Sequence, residues 1–356
     1  MIALIMAGGI GTRFWPLSTR KNPKQFLNIL GNRSMIQQTV DRISPKISSE
    51  NIYVVTNQEQ IKLVEKHLPE LPKKNIIAEP FGRNTAACIG LASITLKEKY
   101  PAEQTMLVLP ADHYVGKPEK FLEIISFASK FAKGSGNLLT FGIQPSHPAT
   151  GYGYIESGEI LNKQTHKIYK VKKFKEKPNY ETAKKFISKG NFFWNSGMFL
   201  WRIDSILNAF ESYMPKLREN LKKIKKLLPD KKDEIAKIYE NLESVPIDIG
   251  VMEKAENAAV IPVDIDWNDI GSWQAVYDLM TKDGDGNYFN GNIINLNSKN
   301  NYLFSENDKK IIALTGIENL VVVDTKNALL ICKKENSQNV KKIVEILNKG
   351  KKNGKQ

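Results

Sequence analysis

The sequence predicts an α/β fold in which a doubly wound, mostly parallel sheet is followed by a small β-rich appendix. Over most of the chain, short apolar segments rich in β-branched residues alternate with amphipathic segments that carry helix-start signals. After Gly284 the pattern changes to short β segments separated by Asn, Asp and Gly. We therefore expect two domains, covering residues 1–284 and 285–356.

The predicted strands of the first domain are short apolar segments bounded by turn residues. They cover residues 2–6, 52–56, 75–78, 105–109, 138–141 and 258–263. Helix starts are predicted at Ser34 with Gln37 and at Thr56 with Glu59, two capping boxes, and at Asn84. Strands separated by helices indicate a sheet covered on both faces, which binds its ligands beyond the carboxyl ends of the strands.

The second half of the chain is less regular. Residues 150–201 are predicted to form strands and one helix, residues 203–248 form helices, and another helix begins at about Ser272. In the appendix, residues 285–334 are predicted to be β structure and residues 336–348 a closing helix. A basic tail ends the chain.

Composition narrows the function classes. The chain has 41% hydrophobic and 25% charged residues and a formal net charge of +14. This charge fits either a nucleic-acid surface or a Lys-rich exterior around a site for anionic substrates. No basic helix with interleaved aromatic residues stands out, so we expect no nucleic-acid partner.

The cysteines and the apolar segments predict the cellular compartment of the protein. Cys88 and Cys332 lie far apart in apolar segments and are predicted to be buried thiols of a reducing compartment. The N-terminal segment has no basic region before it and is predicted to be a strand, and no apolar stretch has the length of a membrane span. We expect a cytoplasmic protein with no membrane association.

A glycine-rich loop follows the first predicted strand. Gly8, Gly9 and Gly11 allow the backbone to approach an anion closely, with successive N–H groups directed at phosphate oxygens. A Walker A loop is excluded because no Gly-Lys-Ser/Thr follows, and the third glycine of a dinucleotide fingerprint is missing. Two cations, Arg13 and Lys24, lie close by in sequence. A polyphosphate site is favoured over a tight turn without a ligand.

Two carboxylates are candidates for a metal site. Asp112 follows the predicted strand 105–109, where a doubly wound fold presents functional groups, although an aspartate there can also cap the next turn. Asp269 lies in the segment Trp267–Trp273, with Asp264 and Asp266 as rivals nearby. Magnesium prefers one or two carboxylates together with phosphate oxygens and water. Two distant acids that converge on a triphosphate would make such a site.

Several motifs occur together in the order typical of one enzyme family. Residues 8–18 read GGIGTRFWPLS and are followed by Pro23-Lys24; later come PADH at 110–113, GYGY at 151–154, EKP at 176–178, NSG at 195–197 and WNDIGSW at 267–273. This set resembles the sugar nucleotidyltransferases. The resemblance implies a Rossmann-like nucleotidyltransferase domain with a β-helix-like appendix, which often mediates dimer contacts in that family.

The resemblance assigns roles to these residues. The loop residues Ala7, Gly8, Gly9, Gly11 and Thr12 would bind the nucleotide triphosphate, with Asn84 and Thr85 as further nucleotide contacts. Arg13 and Lys24 would neutralise the departing pyrophosphate, and Asp112 and Asp269 would hold Mg²⁺. The sugar phosphate would be bound by Gly153, Glu176, Lys177 and Asn195. The predicted catalytic residues are Arg13, Lys24, Asp112, Lys177 and Asp269.

One segment indicates the branch of the family. Residues 79–86 read EPFGRNTA and resemble the corresponding segment of the mannose-1-phosphate guanylyltransferases. This implies GTP and mannose-1-phosphate as substrates and GDP-mannose and pyrophosphate as products. Guanine presents N1–H and N2–H₂ donors on one edge, so Glu79 is a hypothetical reader of the base.

Alternatives remain open at this point. They are a nucleotidyltransferase of other sugar or base specificity and a non-catalytic nucleotide-sugar sensor with the same fold. We also expect a homodimer. Because the sequence ends at residue 356, we expect no additional isomerase domain of the kind that many bacterial relatives carry.

Overall fold

A computed structural model describes residues 1–9 and 11–353, and the side chains up to residue 349. The chain divides into two compact units. The first, here called the sheet unit, comprises residues 1–8, 40–111 and 115–267. The second, called the appendix unit, comprises residues 9–39, 112–114 and 268 onward. The predicted domain boundary at residues 284 and 285 stays a prediction.

The strands in chain order are β1 (Ile2–Met6), β2 (Ile52–Asn57), β3 (Ile76–Glu79), β4 (Thr105–Pro110), β5 (Tyr114–Val115), β6 (Leu138–Ile143), β7 (Tyr154–Asn162), β8 (Ile168–Lys175), β9 (Phe192–Arg202), β10 (Ala258–Val263), β11 (Trp267–Asn268), β12 (Tyr288–Asn290), β13 (Asn292–Leu296), β14 (Tyr302–Ser305), β15 (Ile311–Thr315), β16 (Leu320–Asp324) and β17 (Leu329–Lys333).

The α-helices are α1 (Met35–Ile43), α2 (Ile61–His67), α3 (Asn84–Leu96), α4 (Pro118–Ser135), α5 (Tyr180–Lys189), α6 (Ile203–Tyr213), α7 (Pro215–Leu227), α8 (Lys232–Glu240), α9 (Trp273–Leu279) and α10 (Val340–Asn353). Short 3₁₀ turns cover Thr12–Phe14, Lys24–Phe26, Ser49–Asn51, Gln58–Gln60, Lys73–Asn75 and Lys334–Asn339, and a π-helical turn covers Asp248–Met252. Among the described residues, no helix is long and apolar enough to cross a membrane.

The sheet unit is built on a nine-stranded sheet of order β3-β2-β1-β4-β9-β6-β10-β8-β7. Strands β3, β2, β1 and β4 run parallel, as do β6 and β10, whereas β9 is antiparallel to both β4 and β6. This confirms the predicted α/β fold with its parallel sheet. The remaining strands make the sheet mixed, because β7 and β8 form an antiparallel pair at its edge.

Of the two predicted capping boxes, the structure contains one. At α1 the backbone N–H of Ser34 donates to Gln37 Oε1 at 2.9 Å, as a capping box requires. The second predicted box, Thr56 with Glu59, is wrong. Asn57 caps the turn instead by accepting from the Gln60 N–H at 3.0 Å, because the Thr56 hydroxyl donates to the carbonyl of Ala7 at 2.9 Å. That bond fixes the end of β1 just before the glycine loop.

The β part of the appendix unit is built from coils whose strands pair parallel, except that β17 is antiparallel to β16. One sheet has the order β12-β14-β16-β17 and a second contains β13 and β15. Buried asparagines link successive coils: the Asn301 N–H donates to Asn287 Oδ1 at 3.0 Å, and the Leu320 N–H donates to Asn301 Oδ1 at 2.9 Å. The closing helix α10 begins at Val340 and runs to Asn353. The last residues of the predicted basic tail, 354–356, lie outside the described residues.

Candidate active site

The glycine loop of the appendix unit is shaped by one close approach. Gly11 has φ of 70°, in the left-handed region that favours glycine, and it precedes the turn Thr12–Phe14. A Cβ atom on Gly11 would lie 2.3 Å from the Cβ of Lys24. The carbonyl of Gly9 accepts a hydrogen bond from Gln25 Nε2 at 3.0 Å. The segment that carries Lys24 therefore packs directly against the loop.

Lys24 links both predicted metal ligands. Its ammonium donates to Asp112 Oδ2 at 2.8 Å, to the Asp112 carbonyl at 3.2 Å and to the Asp269 carbonyl at 2.9 Å. The same ammonium lies 5.3 Å from the centre of the Phe14 ring. The Lys24 side chain is 6% exposed and that of Asp112 33% exposed. Burial opposes ionisation of Asp112, but Lys24 and His113 outweigh it and hold the pKa of this carboxyl below its usual value.

These residues line one open cleft of about 270 Å³ in the appendix unit. Its lining contains residues of the loop, Lys24 and both aspartates: Gly11, Thr12, Arg13, Phe14, Lys24, Asp112, His113, Asp269, Ile270 and Gly271. The Arg13 side chain is exposed there. The cleft thus combines two cations and two aspartates beside the glycine loop, which are kinds of residues that a metal-bound polyphosphate requires.

The donor set fits a hard cation that takes its other ligands from phosphate and water. Asp112 and Asp269 supply carboxylate oxygens, and in the described part of the chain no group of three or more His, Cys, Asp or Glu residues could hold a metal by itself. The rivals Asp264 and Asp266 lie in the sheet unit, where Lys117 contacts them at 3.1 and 3.0 Å. Those ion pairs are exposed.

Glu79 lies at the carboxyl end of β3 in the sheet unit and is only 5% exposed. The hydroxyl of Tyr239 donates to Glu79 Oε1, and the thiol of Cys88 also contacts this carboxylate. Oε2 lies 3.5 Å from the position that a Cβ atom on Gly8 would occupy. Burial raises the pKa of Glu79 to about 7, although both hydrogen bonds oppose the shift. Gly8 and Glu79 are therefore neighbours.

The two other predicted nucleotide contacts begin α3. Asn84 is exposed, has φ of 63° and accepts a hydrogen bond from the Thr85 N–H at 2.9 Å. The Thr85 hydroxyl accepts from the backbone N–H of Ile247 at 2.7 Å. Thr85 thus ties the start of α3 to the segment before the π-helical turn, whereas Asn84 faces solvent.

The predicted sugar residues also come together in the sheet unit. The Asn195 N–H donates to the carbonyl of Gly153 at 2.8 Å, and a Cβ atom on Gly153 would lie 2.8 Å from Glu176 Oε2. Lys177 pairs with Glu176 at 2.8 Å, and their side chains are 63% and 44% exposed. Asn195 Nδ2 donates to Asp248 Oδ1 at 2.6 Å. These residues form one polar surface.

Tyr239 and Asp248 contact the predicted residues but do not belong to a motif used in the sequence prediction. Tyr239 is one apolar position in an amphipathic helix, so its hydrogen bond to Glu79 has no signal in the sequence. Asp248 has a weak signal, because it is the one acid in the apolar run from residue 246 to 252. An acid in such a run is often functional or buried with a partner.

Comparison with known proteins identifies the family. The model of the nucleotidyl transferase family matches residues 2–286, and that of the MannoseP isomerase/GMP-like β-helix domain matches residues 291–347. A mannose-1-phosphate guanylyltransferase of Escherichia coli is 40% identical over 354 residues, which are 98% of this chain and 75% of the relative. The chain belongs to the mannose-1-phosphate guanylyltransferase family.

Further relatives agree with this assignment. The mannose-1-phosphate guanylyltransferase of Klebsiella pneumoniae is 40% identical over 98% of this chain and 74% of its own length. A crystal structure described as mannose-1-phosphate geranyltransferase from Thermus thermophilus is 30% identical, covers 98% of this chain and 99% of that one, and has a TM-score of 0.87. Members of this nucleotidyltransferase family generally use a divalent metal ion.

The close approach at Gly11 leads to a stability prediction. Gly11→Ala places a side chain at positive φ and against Lys24, and should lower the free energy of unfolding by at least about 1–2 kcal/mol. The matched control is Gly9→Ala, where an added Cβ meets nothing within 4 Å, so its effect should stay within about 0.5 kcal/mol. Urea unfolding followed by tryptophan fluorescence measures both. Equal stability of the two variants would contradict the role assigned to Gly11.

Proposed function

We propose that this chain transfers a guanylyl group from GTP to mannose-1-phosphate. An oxygen of the sugar phosphate attacks the α-phosphorus of GTP, the bond from that phosphorus to the β-bridging oxygen breaks, and pyrophosphate leaves with the electron pair of that bond. The products are GDP-mannose and pyrophosphate. A phosphate monoester is a competent nucleophile near neutral pH, so the reaction needs no general base.

The observation that carries this proposal is the convergence of Lys24, Asp112 and Asp269 in the cleft beside the glycine loop. Asp112 and Asp269 would hold Mg²⁺, which when bound neutralises phosphate charge and orients the triphosphate. The loop N–H groups and Arg13 would bind the β- and γ-phosphates. Lys24 is buried and donates to groups of both aspartates, so it keeps them in position and adds one positive charge to the cleft.

On the sugar side, Lys177 would neutralise the sugar phosphate, and Glu176 would accept hydrogen bonds from hexose hydroxyls. Their ion pair at 2.8 Å is exposed. The sugar phosphate can therefore replace Glu176 as the partner of Lys177 at little cost in free energy. Catalysis then rests on positioning and charge neutralisation, and not on proton transfer. The family relationship supports this assignment, since the relatives named above are mannose-1-phosphate guanylyltransferases.

Pyrophosphate release tests the reaction and the metal site together. Purified protein with Mg²⁺ should turn over fastest with GTP and mannose-1-phosphate in a matrix of nucleoside triphosphates and hexose-1-phosphates. Asp112→Asn should lower kcat at least about 100-fold, because loss of a metal ligand removes several kcal/mol of transition-state stabilisation. Asp266→Asn is the matched control and should change kcat less than about threefold.

The outcomes separate the alternatives. Turnover restricted to another substrate pair would overturn the specificity while keeping the reaction class. Nucleotide-sugar binding without turnover for any pair would favour the non-catalytic sensor. Equal losses in Asp112→Asn and Asp266→Asn would argue against the proposed metal ligands.

The base-reading role of Glu79 has its own test. Its carboxylate is directed by Tyr239 and Cys88, and only the ionised form accepts both donors of guanine. Because the pKa of Glu79 is about 7, the KM for GTP should fall as the pH rises through 7. Glu79→Gln should raise the KM for GTP about tenfold and remove this pH dependence. For ITP, which lacks the 2-amino group, Glu79→Gln should raise the KM less than for GTP. If Glu79→Gln leaves the preference for GTP over ATP unchanged, backbone groups read the base instead.

A homodimer completes the proposal. The outward side of β13 and β15 carries Ile294, Leu296 and Ile311, which are 50%, 60% and 60% exposed, and this apolar face fits a second copy of the chain. Sedimentation velocity should detect a dimer that dissociates in the double variant Ile294→Lys with Ile311→Lys. Leu329→Lys, on the outward side of β17, should leave the dimer intact. A wild-type monomer would contradict this proposal. The cytoplasmic location and the absence of nucleic-acid or membrane partners stay predictions from composition.

A further inference from the structure

The amide of Asn195 is already engaged by the protein. Its Nδ2 donates to Asp248 Oδ1 at 2.6 Å, while its Oδ1 accepts from the Gly197 N–H at 3.2 Å and from the Thr140 hydroxyl at 3.4 Å. The backbone N–H of Asn195 also donates a hydrogen bond, to the carbonyl of Gly153. This arrangement leaves Asn195 at most one N–H for a ligand and makes it a support for the carboxylate of Asp248.

Asp248 lies at the start of a π-helical turn and is held by the amide of Asn195. It begins the π-helical turn Asp248–Met252, and its neighbours Ile247 and Gly250 are buried. Turns of this type occur often at functional sites. The side chain is only partly buried, so one carboxylate oxygen is fixed by Asn195 while the carboxylate keeps further lone pairs for a ligand.

The charges around Asp248 are mainly negative. Glu176 and Glu253 both act on it electrostatically, and Lys175 and Lys254 act on Glu253. Burial, and then these two carboxylates, raise the pKa of Asp248 to about 6, against the effect of hydrogen bonds from the Asn195 side chain and from the backbone of Asp248 itself. The carboxylates of Glu176, Asp248 and Glu253 are several acceptors close together, which favours a neutral ligand that donates many hydrogen bonds. Hexose hydroxyls are such donors.

We propose that Asp248 is a specificity-determining residue that accepts a hydrogen bond from a hexose hydroxyl, and that Asn195 is the positioning residue that orients its carboxylate. This inference rests on the proposed function, because the same surface contains Gly153 and Glu176. The absence of a side chain at Gly153 lets Glu176 approach Asn195, so Glu176, Asn195 and Asp248 form a continuous row.

Ligand binding tests the inference independently of turnover. Calorimetry would compare GDP-mannose with GDP, which has the same nucleotide and no hexose, on wild-type protein and variants. Asp248→Asn keeps the size of the side chain and the hydrogen bond that Oδ1 accepts from Asn195. It replaces the second carboxylate oxygen, an acceptor, by an NH₂ group, a donor. It should weaken GDP-mannose binding about 10- to 100-fold, as expected for a hydrogen bond to a charged group, and leave the Kd of GDP unchanged within about twofold.

Two further variants separate positioning from structure. Asn195→Ala should weaken GDP-mannose binding on its own but add little to Asp248→Asn, because both act on one contact. Glu253→Gln is the matched control: it removes a nearby charge and should leave GDP-mannose affinity at neutral pH within about twofold. Circular dichroism checks that each variant folds. If Asp248→Asn does not fold, Asn195→Ala still tests the contact.

The pH dependence gives a second readout. Wild-type affinity for GDP-mannose relative to GDP should fall as the pH drops through about 6, because protonated Asp248 loses an acceptor, and this fall should be absent in Asp248→Asn. Undiminished GDP-mannose affinity in Asp248→Asn would overturn the inference. Equal wild-type affinity for GDP-mannose and GDP would overturn it too. Failure of the pyrophosphate assay with intact, Asp248-dependent GDP-mannose binding would overturn the proposed reaction alone.

Discussion

The buried ammonium of Lys24 is the interaction on which the candidate active site depends. It brings together a carboxylate that follows β4 and a backbone carbonyl of the segment before α9, two regions that are far apart in sequence. A buried lysine is costly unless its donors are satisfied, and here Asp112 and Asp269 supply the acceptors. The approach of Lys24 is possible only because residue 11 has no Cβ atom. The shape of the loop, the charge of Lys24 and the two candidate metal ligands are thus one coupled arrangement.

An aromatic cluster supports this arrangement from within the appendix unit. The Phe14 ring lies 5.1 Å from that of Trp273, and Trp273 lies 5.5 Å from Tyr302 of β14. Val323 of β16 and Val340 of α10 belong to the same buried cluster. The glycine loop therefore rests on the β coils and on the closing helix. The β coils and the closing helix of the appendix unit therefore support the candidate phosphate site.

Three buried or partly buried acids, Asp112, Glu79 and Asp248, differ in their electrostatic surroundings. Asp112 has a lysine partner, and its pKa lies below the usual value, which suits a metal ligand that must be ionised. Glu79 and Asp248 are held by neutral donors, Tyr239 and Asn195, and burial raises their pKa values. Such carboxylates suit recognition of neutral donors on a base or a sugar. Of these three acids, the one with a charged partner is the candidate metal ligand.

The periodicity of the chain was sufficient to predict the strands β1 to β4, β6 and β10, because apolar β-branched segments between turn residues have few other stable structures. The motifs, in their order, were sufficient to indicate the family and the candidate residues. Local patterns did not predict that Asn57 and not Thr56 caps the turn before α2, since the choice depends on the Ala7 carbonyl across the sheet.

Tertiary structure alone decided which partners these side chains have. The buried position of Lys24 between two aspartates, the bond from Tyr239 to Glu79 and that from Asn195 to Asp248 join residues 53 to 245 positions apart in sequence. No local propensity encodes such pairs. They arise because packing buries polar groups, and a buried polar group is stable only with a partner that the fold brings to it.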